Sequence, residues 1–113
     1  MDDTILYAFA RRYALFHATS SQAMIDPTPQ MAYGYVHVAD VDALSAGDVL
    51  TLTASDAWRN RSEVVWVSSH LHRATSVGDL LYLYESEKLW VVQASGVVRV
   101  SASIESLGLE WSL

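Results

Sequence analysis

Cysteine is absent from the 113 residues of this chain, which excludes disulfides, thiolate metal sites and cysteine nucleophiles. Basic residues are scarce: 7 Lys and Arg stand against 13 Asp and Glu, for a formal charge of −6. That balance argues against a nucleic-acid binder working through a basic face, since phosphate contacts need clustered cations. Only Arg11/Arg12 and Arg59/Arg61 come close to clustering. No apolar run approaches the roughly 18 residues of a membrane span, and no signal-peptide pattern opens the chain, so the expectation is a cytoplasmic protein. Neither a Walker glycine loop nor a dinucleotide fingerprint occurs, so no phosphate cofactor is expected. Serine, histidine and aspartate are all present, yet no nucleophile elbow marks any serine.

What the chain has in quantity is apolar and aromatic surface. Hydrophobic residues make up 51%, with four Trp and six Tyr. In one domain of this length, either the core is large or some apolar surface is covered by a partner or a second copy. Large aromatics dominate interface hot spots, so a two-fold homodimer is the expectation.

Along the chain, Asp2-Asp3-Thr4 is a good helix start. Ile5, Phe9, Tyr13 and Phe16 recur at helical spacing, with Arg11 on the opposite side, which predicts an amphipathic helix over about 4–18 running on towards Met24. Residues 1–25 therefore read as an N-terminal helical part, 26–30 (with Pro27 and Pro29) as a stiff link, and 31–113 as a sheet-rich body of the same single domain.

Tyr33–Ala39 alternates like a strand, with Tyr33, Tyr35, His37 and Ala39 on one face, and Asp40-Val41-Asp42 is expected to break it. Ser45–Leu52 reads two ways: Ser45 with Asp48 resembles a capping box, while Leu50–Thr53 alternates like a strand. Val64–Val67 is a strand candidate. Gly78-Asp79 is a turn, Gly78 taking positive φ and Asp79 bonding nearby backbone. Leu80–Tyr84, Leu89–Gln93 and Val97–Ser101 then form an antiparallel meander around the Glu85–Lys88 and Ala94–Gly96 turns. Ile104–Leu113 is a final edge strand or a tail lying on the domain. The predicted fold is α+β, a mainly antiparallel sheet of about four to five strands with the N-terminal helix across one face.

From Tyr33 to Ser101 the order of features includes Val38-Ala39-Asp40, Leu52-Thr53, Trp58, Arg73-Ala74-Thr75-Ser76-Val77-Gly78-Asp79, Trp90-Val91 and Gly96. In this order it resembles the YodL-like domains and their uncharacterised relatives, small accessory domains of plasmids, phages and integrated elements. The chain departs from that pattern at Ala54, Ala74 and Val97. The resemblance implies a helix at Ser45–Thr53, an α+β fold and a mobile-element setting; it implies no activity.

Among residues that carry chemistry, His70 and His72 would share a face of a strand and could hold one ion. No third ligand lies nearby, unless the fold brings up His37 or Glu63, and a solvated loop is the plainer reading. Arg73 with Asp79 reads as a structural pair bracketing a loop, with Thr75 or Ser76 hydroxyls holding the turn. The resulting expectation is a non-enzymatic protein-binding module of a mobile element, without cofactor, inhibiting a host defence complex of the anti-CRISPR or anti-restriction type. Asp40, Asp42, Asp56 and Glu63 would flank Trp58 in loops and meet a basic surface on that partner. The alternatives are a small enzyme or metal-dependent site around His70, His72 and Arg73, or a domain that only assembles with itself.

Overall fold

The computed structural model describes residues 10–55, 62–67, 73–109 and 111. Among these residues, six strands form one antiparallel sheet: β1 (Arg11–Ala18), β2 (Tyr35–Ala43), β3 (Val64–Trp66), β4 (Leu80–Leu83), β5 (Lys88–Gln93) and β6 (Gly96–Val100). Their order across the sheet is β3-β2-β1-β4-β5-β6. Three short helices accompany them: α1 (Gln22–Ile25), α2 (Ala46–Thr53) and α3 (Ile104–Leu107), with a 3-10 turn at Met31–Tyr33. The α+β class stands, with six strands where the sequence predicts fewer.

The expected N-terminal helix is overturned over residues 11–18, which form a central strand; residues 1–9 of that expectation lie outside the described residues. The reason is geometric. In a helix, Tyr13 and Phe16 would share a face; in β1 their odd separation sends them to opposite faces, Tyr13 into one apolar cluster and Phe16 into the other. Every residue from Tyr13 to Ala18 is buried, because β1 has neighbours on both edges and cover on both faces. A strand buried twice over loses the alternation that would mark it.

β2 also differs from expectation, running straight through Asp40-Val41-Asp42 to Ala43. Its register with β1 shifts: Leu15 faces Ala39 while Phe16 faces His37, so Val38 is the extra residue of a β-bulge. The bulge moves Ala39 to the opposite face from His37 and puts Asp40 on the His37 side. Asp42, two residues on, shares that face with Asp40, while Val41, fully buried, enters the core on the other.

One face of the sheet packs on α2, through Ala46, Val49 and Leu52 against Tyr13, Leu15, Val41 and Leu81. Ser45 caps that helix, its hydroxyl accepting from the Asp48 N–H at 3.2 Å, which resolves the ambiguous Ser45–Leu52 stretch as helix. The other face is covered by Ala23 of α1, Tyr33 and the C-terminal segment from Ala102 to Trp111. That segment is a capped helical turn ending at Gly108, so of the two readings of Ile104–Leu113 the tail lying on the domain holds and the edge strand does not. β4, β5 and β6 form the predicted meander with bounds moved by a residue at most. Among the described residues, no helix is long and apolar enough to cross a membrane.

Gly78 holds the entry to the meander. Its φ is +97°, its N–H donates to the Val92 carbonyl at 2.8 Å, and a Cβ there would sit 2.6 Å from Ala23 Cβ and against the Ala23 carbonyl. Gly78→Ala therefore combines backbone strain with overpacking and should cost roughly 2–4 kcal/mol in chemical denaturation. An unchanged midpoint would contradict this placement of α1 against the turn.

Candidate functional site

Asp40 and Asp42 lie inside β2, not in loops as expected, and project on the sheet face opposite α2. Glu63 directly precedes β3, and its carbonyl accepts from the Asp42 N–H at 2.9 Å, so Asp42 and Glu63 face each other across the strand pair. Val65, opposite Asp40, is 48% exposed. Three carboxylates thus share one strip beside β3, whose only strand neighbour among the described residues is β2. Asp56 and Trp58, placed with them by sequence reasoning, lie outside the described residues.

The three acids are held differently. Asp40 Oδ1 accepts from His37 Nε2 at 2.9 Å and from the Tyr84 hydroxyl at 2.7 Å. Burial alone would push the Asp40 carboxyl up; the bonds from His37 and Tyr84, with the charges of His37 and Arg12, outweigh it and hold the group below its ordinary value. Asp42 pairs with Arg12 (Nε at 3.1 Å), both side chains being over a third exposed. Such a pair contributes only a few tenths of a kcal/mol, roughly, to stability.

Beside the strip sits an aromatic group that the sequence did not single out. Trp111 packs edge-on to Phe16, His37 and Tyr82, at centroid distances of 4.9, 5.1 and 5.6 Å, and lies 5.8 Å from Tyr84. The reading of Ile104–Leu113 as an edge strand or a tail was the available signal, and it marked an apolar contact without saying where. Tyr84 is pushed well above the usual phenol range, by burial first and then by the Asp40 carboxylate.

On the far side of the sheet's centre, Arg73 chelates the fully buried Asp79, each carboxylate oxygen taking one guanidinium nitrogen at 2.7 Å. Asp79 also accepts from the Ala18 and Ser76 backbone N–H groups at 2.9 and 2.8 Å. Arg73 donates further to the Ala18 and Ala74 carbonyls and to the Ser76 hydroxyl. Thr75 is buried, its hydroxyl 3.2 Å from His17 Nε2 and its N–H donating to the Thr53 carbonyl. These residues tie the loop to β1 and α2. Of the proposed metal set, His70 and His72 lie outside the described residues, and the described ones contain no group of three or more His, Asp or Glu placed to hold an ion.

Two outcomes follow from this geometry. Arg73→Ala would leave a buried carboxylate without its cation and should cost about 2–4 kcal/mol, below the range for a fully buried pair because the guanidinium is partly exposed. Denaturation of Arg73→Ala beside Arg73→Lys measures it; equal stability in both and in wild type would contradict the lock. Five tyrosines (Tyr13, Tyr33, Tyr35, Tyr82 and Tyr84) have phenol groups raised above 10.0. A raised group favours the fold below its ordinary value and loses that contribution as pH rises through its folded-state value. Phenolate absorbance at about pH 10 should therefore report well under half of the six tyrosines, the rest ionising together with alkaline unfolding. Half-ionisation in the folded protein at that pH would contradict the packing of Tyr82 and Tyr84.

Compared with known proteins, the chain matches no protein-family model, no curated protein and no solved structure.

Proposed function

We propose that the protein is a non-enzymatic protein-binding module that docks on a basic surface of a host protein or nucleoprotein complex. The observation that carries this is the strip of Asp40, Asp42 and Glu63, flush with the last strand of the sheet and the exposed Val65. A carboxylate row beside an exposed apolar residue combines charge steering with a desolvated contact. Arg12 neutralises Asp42 in part and Asp40 is fixed by His37 and Tyr84, so Glu63 carries most of the steering. The enzyme alternative gains nothing from Arg73, whose nitrogens are taken by Asp79 and neighbouring carbonyls.

The resemblance of residues 33–101 to accessory domains of mobile elements supports a setting in the host cytoplasm, with host defence complexes as the first partners to try. The test is binding to, and inhibition of, purified CRISPR effector and restriction complexes by wild type and by Asp42→Lys/Glu63→Lys. Association of the variant should slow by about tenfold or more at low salt, with the difference shrinking as salt rises. Unchanged association would remove this strip as the docking surface, and no inhibition of any such complex would count against the module's proposed role. Self-association into a two-fold dimer belongs to the same reading. Light scattering at micromolar concentration should then give twice the 12.5 kDa chain mass, and a monomer mass would assign the exposed apolar residues to a foreign partner or to none.

A further inference from the structure

The sheet ends in two edges of unlike character, β3 and β6. At β6 the direction of the backbone follows from the strands beside it. Val92 on β5 turns both its polar groups towards β4, its N–H donating to the Asp79 carbonyl at 2.9 Å and its C=O accepting from the Gly78 N–H at 2.8 Å. Val97 stands opposite Val92 in the β5–β6 register, so its own N–H and C=O point away from β5, to the outside of the sheet. Arg99, two residues on, repeats that direction, while Gly96, Val98 and Val100 face β5. Among the described residues no strand pairs with the outward groups of Val97 and Arg99.

Edge strands ordinarily carry a guard against pairing, such as a proline, a bulge or a charge held in water. β6 reads Gly-Val-Val-Arg-Val, contains no proline and keeps an unbroken register with β5. Its one charged side chain, Arg99, lies over the Trp90 ring at 5.6 Å, leaning back across β5. Val98 is 40% exposed and shares a face with Val91, its partner on β5. The β3 edge is guarded instead: Asp40, Asp42 and Glu63 run beside it, and a second copy laid there would bring like charges together.

We infer that two copies of the chain join antiparallel through β6, about a two-fold axis at Val98. This names the surface of the dimer proposed above and rests on that reading. Each Val97 then lies opposite the partner's Arg99, and the two residues exchange both backbone hydrogen bonds. Val98 meets its twin on the axis, where the two exposed side chains cover each other. Charge selects a second copy at this edge and not at the other. The chain carries −6, yet β6 has no acid, and each arginine lies opposite a valine, so no like charges face across the join. The acidic strips stay at the far ends of the joined sheet, beside β3, so the dimer presents two docking edges at once.

The chain has no cysteine, so an introduced one reports a single contact. Val98 and its twin form a non-hydrogen-bonded pair across the axis, with Cα atoms about 4.5 Å apart, within reach of a disulfide. Val98→Cys, oxidised mildly at the concentration used for light scattering, should form a covalent dimer. Val65→Cys, exposed at the other edge, should not. Arg99→Pro removes an outward N–H and leaves the β5–β6 bonds in place, whereas Arg99→Ala keeps that N–H. The proline variant should dimerise about tenfold or more weakly than the alanine variant, both with a native amide spectrum. A dimeric wild type whose Val98→Cys form stays uncrosslinked, or whose Arg99→Pro and Arg99→Ala forms dimerise alike, would overturn the β6 join and leave the dimer itself standing. A monomeric wild type would overturn both.

Discussion

The buried carboxylate of Asp79 is the point on which the two halves of the sheet depend. β2 and β3 reach β1 from one side, and the β4–β5–β6 meander reaches it from the other. The junction is the β1–β4 pair, joining segments far apart in sequence through only four register pairs, Tyr13↔Leu83 to Phe16↔Leu80. Asp79 stands at the entry of β4 and takes the N–H of Ala18 at the exit of β1. Removing a carboxylate from water costs several kcal/mol, roughly, so it is tolerable only with full compensation. Here two guanidinium nitrogens and two backbone N–H groups supply it. The same Arg73 reaches the Ala18 carbonyl, so both backbone polar groups of that residue are bound by one ion pair.

The second constraint is the bulge at Val38. In a regular strand, residues three apart face opposite ways. His37 and Asp40 nevertheless meet at 2.9 Å, because one extra residue between them restores a common face. Beside that contact lie the seat of Tyr84 on Asp40 and the edge-on packing of Trp111 against His37. The bulge thus brings the acidic strip to the same face as His37 and its aromatic cover.

These two features mark where sequence reasoning succeeds and where it stops. The meander was legible because Gly78, Glu85–Lys88 and Gly96 punctuate apolar runs of strand length. Arg73 and Asp79 could be paired on paper because both lie in one short loop. β1 was not legible: with both faces buried, its apolar residues fit a helical period as well as a strand. Asp40 and Asp42 read as a break because aspartate is depleted in strands, and that tendency yields where both carboxylates find donors on one face. The bulge leaves no mark in composition, so the His37–Asp40 contact and the seat of Trp111 were out of reach.

The most direct measurement of this account is amide hydrogen exchange at Ala18, in the wild type and in Asp79→Asn. Ala18 ends its strand, where fraying is the rule. If Asp79 holds β1 to β4, the Ala18 amide in the wild type exchanges only through global unfolding, as slowly as Leu15 in the strand centre. Asp79→Asn, which removes the charge-assisted bonds, should let it exchange by local opening. A wild-type Ala18 amide exchanging as fast as those of the loop after β1, or one unmoved by Asp79→Asn, would contradict the account.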